Sequence, residues 1–484
     1  MKELLSAQIV AKKWNITPRR VQTLCTEGYV AGAIKERGIW LIPASTSKPF
    51  YHKRGVNREL TKSPINVLSL FSGCGGMDLG IEGNFEVLGA ALNNAINPHW
   101  DVISLDDDWV RLPKNRFHTV FANDIIADAK TAWINFFGKR GICDSTYYLN
   151  SIVDLVKLHR KSEVSTFPQD VDIVTGGFPC QDFSVAGKRM GFNSDKYHDG
   201  GKKKNDNEPN IENRGQLYIW MREVISITQP KMFIAENVKG LVNLGDVKKV
   251  IEDDFSSIAQ SGYLVLPARV LHAADYGVPQ SRERVIFFGF KKSALSKQAC
   301  KELSMPNIIA EYNPYPPVTH AYTTKSENLM PPVTLRQAFL NLKEPCDSSD
   351  KAQQKYSKAK YMGRHCQGQT EIKLDGIAPT IRSEHHGNIE FRRLSVENGG
   401  GYIEELMTGM QERRLTVREC ARIQTFPDSY EFVFRDDKSN KSVSASKAYK
   451  LIGNAVPPLL AFHIAKRIET LWDKYFGGDG YDHI

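Results

Sequence analysis

An apolar run from Val67 to Phe71 is followed by Ser72-Gly73-Cys74-Gly75-Gly76 and then by a helical pattern that starts at Met77. A buried strand, a glycine turn and a helix, in that order, commit a chain to an α/β sheet. The glycines give the turn backbone angles that other residues avoid, and the helix N-terminus then faces whatever lies over the turn. Such a turn fits NAD, a flavin or S-adenosylmethionine, and alone it does not choose among them. An acid closing the second strand would suit the hydroxyls of a ribose. Thr119 to Ala122 reads as that strand, and Asp124, with Ile125 beside it, follows. Asn93 and Asn94 are rivals for the same role, because residues 82–118 look like an irregular insertion.

A second strand and turn present a thiol. Val171 to Val174 is apolar, and Gly176-Gly177-Phe178-Pro179-Cys180-Gln181 follows it. The glycines permit a sharp turn and proline fixes the backbone before the cysteine. Cys180 therefore stands at the carboxyl end of a strand, where open α/β sheets keep their active sites, and is a candidate nucleophile. The chain has eight cysteines and no CxxC pair. Neither a disulfide framework nor a metal site is expected, and most of the other cysteines read as small buried hydrophobes.

Charge is unevenly spread. Residues 1–62 hold 12 Lys and Arg against 4 Asp and Glu, which is +8 of the chain's +9; the remaining 422 residues hold 52 against 51. A basic head on a neutral body points to a polyanion. In that head, Ala7, Ile9, Val10 and Ala11 outline one helix, and Thr17 with Pro18 opens a second that carries Arg19 and Arg20. A small hairpin around Gly38 follows. This arrangement resembles the helix-turn-helix with a wing of the MerR and excisionase-type families, whose second helix enters the major groove. The 484 residues suit roughly three domains. There is no signal peptide and no apolar run of about 18 residues, so a cytoplasmic location away from membranes is expected.

Further strands are read at Met232–Ala235, Leu264–Val270 and Val285–Phe290, with helices at Leu217–Ile227, Val417–Gln424 and a C-terminal stretch to Tyr475. Residues 188–214 form a long polar stretch that suits a closing lid. Residues 300–410 show weak periodicity and several Pro and Gly.

Six segments in one order carry a resemblance: Phe71-Ser72-Gly73-Cys74-Gly75-Gly76, Gly177-Phe178-Pro179-Cys180-Gln181, Glu236-Asn237-Val238, Gln280-Ser281-Arg282-Glu283-Arg284, Leu415-Thr416-Val417-Arg418-Glu419 and Gly453-Asn454-Ala455-Val456. Together they are similar to the DNA cytosine-5 methyltransferase family, in its bacterial restriction-modification form. The resemblance implies a Rossmann-like α/β sheet with helices on both faces, a small irregular target-recognition domain and the N-terminal winged helix-turn-helix. The corresponding boundaries are 1–46 for the helix-turn-helix, 47–64 for a linker, 65–299 for the catalytic domain with its insertion at 82–118 and mobile loop at 182–214, 300–410 for target recognition, and 411–484 for the return to the catalytic domain.

The resemblance also implies roles. Cys180 would add to C6 of a flipped cytosine, Glu236 would hold and protonate N3, and Arg282 and Arg284 would assist. S-adenosylmethionine would lie against Phe71, Ser72, Gly73, Gly75, Gly76, Asp124, Ile125, Leu217, Asn454 and Val456. Ser151 stands where the family offers an acid to the adenine, with Asp154 as a nearby substitute. DNA contacts would come from Arg19, Arg20, Gln181, Ser184, Thr380 and Arg382, with His385, His386 and Asn388 beside them. The partners implied are double-stranded DNA, the methyl donor and a restriction endonuclease that pairs in function without a stable complex; the chain would act as a monomer.

Overall fold

The computed structural model describes residues 4–14, 17–26, 30, 33–36, 39–44, 46, 63–161, 165–179, 217–243, 246–258, 262–383, 389–436 and 441–477. The chain forms two compact units, Met1–Lys62 and Ser63–Ile484.

The smaller unit contains β1 (Leu4–Ser6), α1 (Ala7–Trp14), α2 (Pro18–Thr26), β2 (Ile34–Glu36) and β3 (Ile39–Pro43). Its strands pair antiparallel in the order β1-β3-β2. Ala7, Val10, Ala11 and Trp14 recur at helical spacing and pack with Val21, Leu24 and Cys25. Ile9 was expected on this face, but it is 53% exposed and Trp14 closes the core instead. The first strand was not expected; three residues are too few to carry a visible alternation.

In the larger unit, α3 (Gly76–Glu82) follows β4 (Ile65–Leu70). Three short strands, β5 (Glu86–Leu88), β6 (Ile103–Ser104) and β7 (Trp109–Arg111), then pair into a small antiparallel sheet. The segment expected to be an irregular insertion is therefore a β appendage. Next come β8 (Phe117–Asp124), α4 (Ala127–Phe137), β9 (Tyr147–Leu149), α5 (Ile152–Lys161), β10 (Ile173–Gly176), α6 (Leu217–Thr228), β11 (Met232–Val238) and α7 (Val247–Ser256). They are followed by β12 (Tyr263–Val265), β13 (Arg269–His272) and β14 (Glu283–Lys291). The expected strand over 264–270 is thus two strands. Pro267 lies between them, and a proline has no N–H to give a ladder. The remaining helices are α8 (Lys297–Leu303), α9 (Leu335–Ala338), α10 (Ile403–Met407), α11 (Val417–Ile423), α12 (Ala445–Asn454) and α13 (Pro458–Phe476).

The central sheet runs β12-β14-β11-β10-β4-β8-β9, with β13 also on β14. Strands β11, β10, β4, β8 and β9 are parallel, whereas β14 is antiparallel to β11. It is a mixed α/β sheet. Side chains of successive strand residues point to opposite faces, and here they divide between two cores. Val67, Ile234, Ile286 and Phe288 join the core with Leu79, Trp133 and Phe462. Leu68, Phe233, Ala235 and Phe287 join the other, with Val153, Met221 and Phe255. Helices cover both faces, which is why these strands read as continuous apolar runs.

Residues 300–410 were expected to form a separate small domain. Leu335, Ala338, Ile372, Leu374, Ala378 and Ile381 of this segment pack within the first of the two sheet cores. Irregular chain can share a core without showing periodicity. Of the seven cysteines described, Cys25, Cys74 and Cys420 are buried while Cys143 and Cys346 are exposed, so burial is not the rule expected for them. No described helix is long and apolar enough to cross a membrane.

Gly289 on β14 stands opposite Phe233 on β11. A Cβ there would lie 2.0 Å from the Phe233 ring, inside a closed core. Gly289→Ala is expected to cost about 1–3 kcal/mol of stability. A thermal midpoint equal to that of the parent chain would contradict this packing.

Candidate active site

The turn after β4 is held from several sides. Phe71 (φ 53°), Gly73 (φ 54°) and Gly75 (φ 79°) lie in the left-handed region. Gly73 has open space where a Cβ would stand, so its requirement is conformational; at Gly75 a Cβ would also lie 2.6 Å from Trp133 and Phe137. The Tyr147 hydroxyl donates to the Gly73 carbonyl (2.9 Å), and the Tyr430 hydroxyl donates to that of Cys74 (2.6 Å). The Asp124 carboxylate accepts from the Gly73 and Ile126 N–H groups, each at 3.0 Å. Beneath the turn, Asp78 accepts from Ser69 Oγ (2.6 Å) and Trp133 Nε1 (2.8 Å). Burial raises the Asp78 carboxyl to about 6 against those two hydrogen bonds.

Over the turn opens a cavity of about 410 Å³, within the range of cofactor sites. Phe71, Ser72, Gly73, Gly76, Asp124, Ile125, Leu217, Asn454 and Val456 all line it, as do Glu236 and Arg284. Gly75 does not; it packs on aromatic rings at the start of α3. Burial raises the Asp124 carboxyl, opposed by the N–H groups of Ile126, Gly73 and Ile125 and by the Lys450 charge.

Lys450 also lines the cavity and was missed. The signal existed: it lies four residues before Asn454 on α12, and such residues share a helix face. Ser151 lines the cavity too, and its hydroxyl accepts from the Val153 N–H (3.3 Å) at the start of α5. Asp154, the expected substitute, is exposed and absent from the lining. The rival ribose ligands also fall away. The Asn93 amide is buried and donates to Thr319 and Asn328 carbonyls, and Asn94 is exposed elsewhere.

At the other end of the cavity the antiparallel register of β11 and β14 sets Glu236 opposite Ile286 and Val238 opposite Arg284. Glu236 and Arg284 are thereby diagonal neighbours on one sheet face. Arg284 Nε lies 2.6 Å from Glu236 Oε1, with both side chains nearly closed to solvent. Burial pushes the Glu236 carboxyl above its ordinary range, while the charges of Arg284 and Arg282 pull the other way. Gly177 lines the cavity beside this acid, and a Cβ at that position would lie 2.7 Å from Glu236 Oε2. The Asn237 amide donates to the Phe178 carbonyl (3.2 Å) and steadies the Phe178-Pro179 turn. Cys180, Gln181, Ser184, His385, His386 and Asn388 lie outside the described residues, as does the whole of the expected lid.

Of the two arginines, Arg282 takes a supporting place away from the cavity that Arg284 lines. It is 1% exposed and does not line the cavity. Its guanidinium donates to the carbonyls of Ile381 (3.0 Å), Gly453 (3.0 Å) and Ala455 (2.7 Å). It is a positioning residue that joins the Asn454 wall to the turn at Thr380. The Thr380 hydroxyl donates to the Ser281 carbonyl, and Arg382 lies 3.4 Å from Glu390. Neither lines the cavity. Arg19 is exposed on α2, which also carries Arg20. Among the described residues no cluster of His, Cys, Asp or Glu could hold a metal ion.

The α/β sheet thus gathers a glycine turn, a buried acid and an arginine into one cavity, the arrangement of an enzyme with acid–base chemistry. The chain belongs to the C-5 cytosine-specific DNA methylase family, which matches residues 65–470 and makes it a DNA cytosine-5 methyltransferase. It is similar to the type II methyltransferase M.BspRI of Lysinibacillus sphaericus, at 34% identity over 436 residues, 87% of this chain and 84% of that one. It is also similar to M.BsuRI of Bacillus subtilis, at 33% over 415 residues, 84% and 79% of the two chains. Among solved structures, the S. pombe Dnmt2 methyltransferase aligns over 84% of this chain and 99% of that one, at 16% identity and a TM-score of 0.48.

The Asp78 carboxyl gives a pH signature. Its folded value of about 6 lies above the ordinary 3.8 of a free aspartate carboxyl. The associated stability is fully present below the unfolded value and is lost as pH rises through the folded one. Between about pH 5 and 8 the parent chain should lose about 1 kcal/mol that Asp78→Asn does not lose. Melting curves of the two proteins that run parallel over this range would contradict it.

Proposed function

We propose that this chain methylates C5 of a cytosine rotated out of duplex DNA, with Cys180 as nucleophile. The observation that carries the reading is the buried Glu236–Arg284 pair, which opens into the same cavity as the Gly177-Phe178-Pro179 turn that leads directly to Cys180. The target atom is inaccessible inside a duplex, so the base must leave the stack.

The cavity fits S-adenosylmethionine. Phe71 offers a ring for the adenine, Asp124 keeps lone pairs for a ribose, and Lys450 offers a cation for the carboxylate of the amino-acid end. When bound, the donor supplies an electrophilic methyl group. The chain's own residues make C5 able to take it. The Cys180 sulfur bonds to C6, and Glu236, whose protonated form burial favours, passes its proton to N3 as that bond forms. Arg284 orients the carboxyl and offers N–H groups to the base carbonyl. After transfer, the C5 proton leaves to water, the C6–S bond breaks to return the thiolate, and N3 gives its proton back to Glu236.

Arg382, Gln181 and Ser184 are proposed DNA contacts, while Thr380 shapes its turn by bonding Ser281. The relatives' type II naming supports a restriction-modification role, paired in function with an endonuclease. The enzyme works as a monomer in the bacterial cytoplasm. The N-terminal unit is proposed to be a winged helix-turn-helix that reads DNA through α2, which carries Arg19 and Arg20.

DNA carrying 5-fluorocytosine tests the chemistry, because fluorine cannot leave as a proton does. The parent chain should accumulate a covalent adduct in the presence of the donor. Cys180→Ala should form none, and Glu236→Gln should form it at least about 100-fold more slowly. An adduct with Cys180→Ala would overturn the mechanism.

Removal of residues 1–62 tests the head. Footprints on DNA upstream of the gene should disappear while methyl transfer persists. Footprints unchanged by the removal would exclude DNA reading by this unit.

A further inference from the structure

Residues 351–370 contain Lys351, Lys355, Lys358, Lys360 and Arg364, together with His365 and not one Asp or Glu. The chain beyond residue 62 is nearly neutral, with 52 basic and 51 acidic residues, so this is a local excess of positive charge. Its bounds are sharp. Asp350 before it is held by Arg418 Nε (2.6 Å), and Glu371 after it accepts from the N–H groups of Leu394 (2.8 Å) and Gly401 (2.7 Å).

The segment has no regular structure over 357–363, yet it is not loosely attached. Arg414, 1% exposed, spends its guanidinium on main-chain carbonyls. Nε donates to Ala359 (2.7 Å), Nη2 to Lys360 (3.1 Å) and Nη1 to Gly368 (2.7 Å) and to Ile389. The guanidinium also sits 4.0 Å from the Phe391 ring centre, and Tyr361 meets the edge of the same ring. The Met362 N–H donates to the Gln369 side chain (2.9 Å).

With that backbone fixed, exposure alternates. Lys358, Lys360 and Met362 are exposed, while Ala359 and Tyr361 are turned partly inward. In an extended chain, side chains two residues apart point the same way, about 6.6 Å from one another. Lys358 and Lys360 therefore share one edge, and exposed Lys355 and Arg364 flank them along the chain.

The row is tied to the cavity. Ile389, which Arg414 binds, precedes Glu390, and Glu390 accepts from the Leu415 N–H (3.0 Å) and pairs with Arg382. A Cβ on Gly453 would lie 2.3 Å from the Arg382 carbonyl, and Gly453 adjoins the cavity residue Asn454.

The geometry points to a phosphate rail: Lys355, Lys358, Lys360 and Arg364 contact the backbone of duplex DNA, and Arg414 is the positioning residue that fixes the main chain at Ala359 and Lys360 between them. The inference rests on the DNA methyltransferase reading and adds where part of the affinity resides. Phosphate contacts fix register and carry no sequence information, so the rail acts on every duplex alike.

The test is the salt dependence of binding to a duplex of random sequence about 30 base pairs long, followed by fluorescence anisotropy between about 50 and 200 mM NaCl. Each phosphate contact contributes about 0.9 to the slope of log affinity against log salt. The combined Lys355→Gln, Lys358→Gln, Lys360→Gln and Arg364→Gln variant should lose about 3 to 4 from the size of that slope. It should retain parent turnover at low salt with saturating DNA. A parent slope in this variant would overturn the rail.

Arg414→Gln removes no exposed charge, yet should flatten the slope in the same direction. A folded Arg414→Gln protein with the parent slope would overturn its positioning role. If that variant does not fold, the surface variant decides by itself. Methyl transfer by the parent chain is read separately, so a chain that binds with a steep slope and transfers nothing would count against the enzymatic reading and not against the rail.

Discussion

The register between β11 and β14 is the constraint on which the site depends. Those two strands place Glu236 and Arg284 diagonally on one face, and they place Phe233 against Gly289 at the other end of the same ladder. A slip of one residue would turn every side chain of β11 to the opposite face and send the acid into the second core. The chemistry is thus indexed by backbone pairing in the sheet and not by the shape of a loop. Parallel β10 and β4 then bring the Gly177 turn and the glycine turn after Leu70 to the same edge.

Much of this was legible in the sequence, for a definite reason. Strands buried on both faces are continuous apolar runs, and those at 65–70, 232–238 and 283–291 stand out from their surroundings. The glycine turn and Glu236-Asn237 are short segments whose residue types serve nearby backbone. Their positions could therefore be read without knowing the rest of the fold. What escaped was short or tertiary. The small sheet formed by β5, β6 and β7 has strands of two or three residues. The role of Arg282 depends on carbonyls 99, 171 and 173 positions away. No local pattern reports such a partner.

The irregular half of the larger unit shows how a chain with little helix or strand satisfies its backbone. Buried carbonyls must find donors, and here arginines supply them. Arg414 serves Ala359, Lys360 and Gly368; Arg418 serves Pro427 and Tyr430; Arg422 serves Ala338 and Leu340. A guanidinium offers five donors in a rigid plane, which suits the joining of segments that never run side by side. Arg413 extends the scheme to charge, holding Glu419 and Glu344 together, and Glu344 is pulled down to about 2 as a result.

The three carbonyls on Arg282 have an evolutionary consequence. One belongs to the turn at Ile381, and two belong to the wall that carries Asn454 and Val456. Much of residues 300–410 can vary without touching these three bonds. The seam at 380–382 cannot, because a change there also deforms the wall of the cavity. Modularity in this fold therefore has a fixed border. Segments exchanged within residues 300–410 should succeed or fail according to whether they return to that border with a carbonyl in the same place.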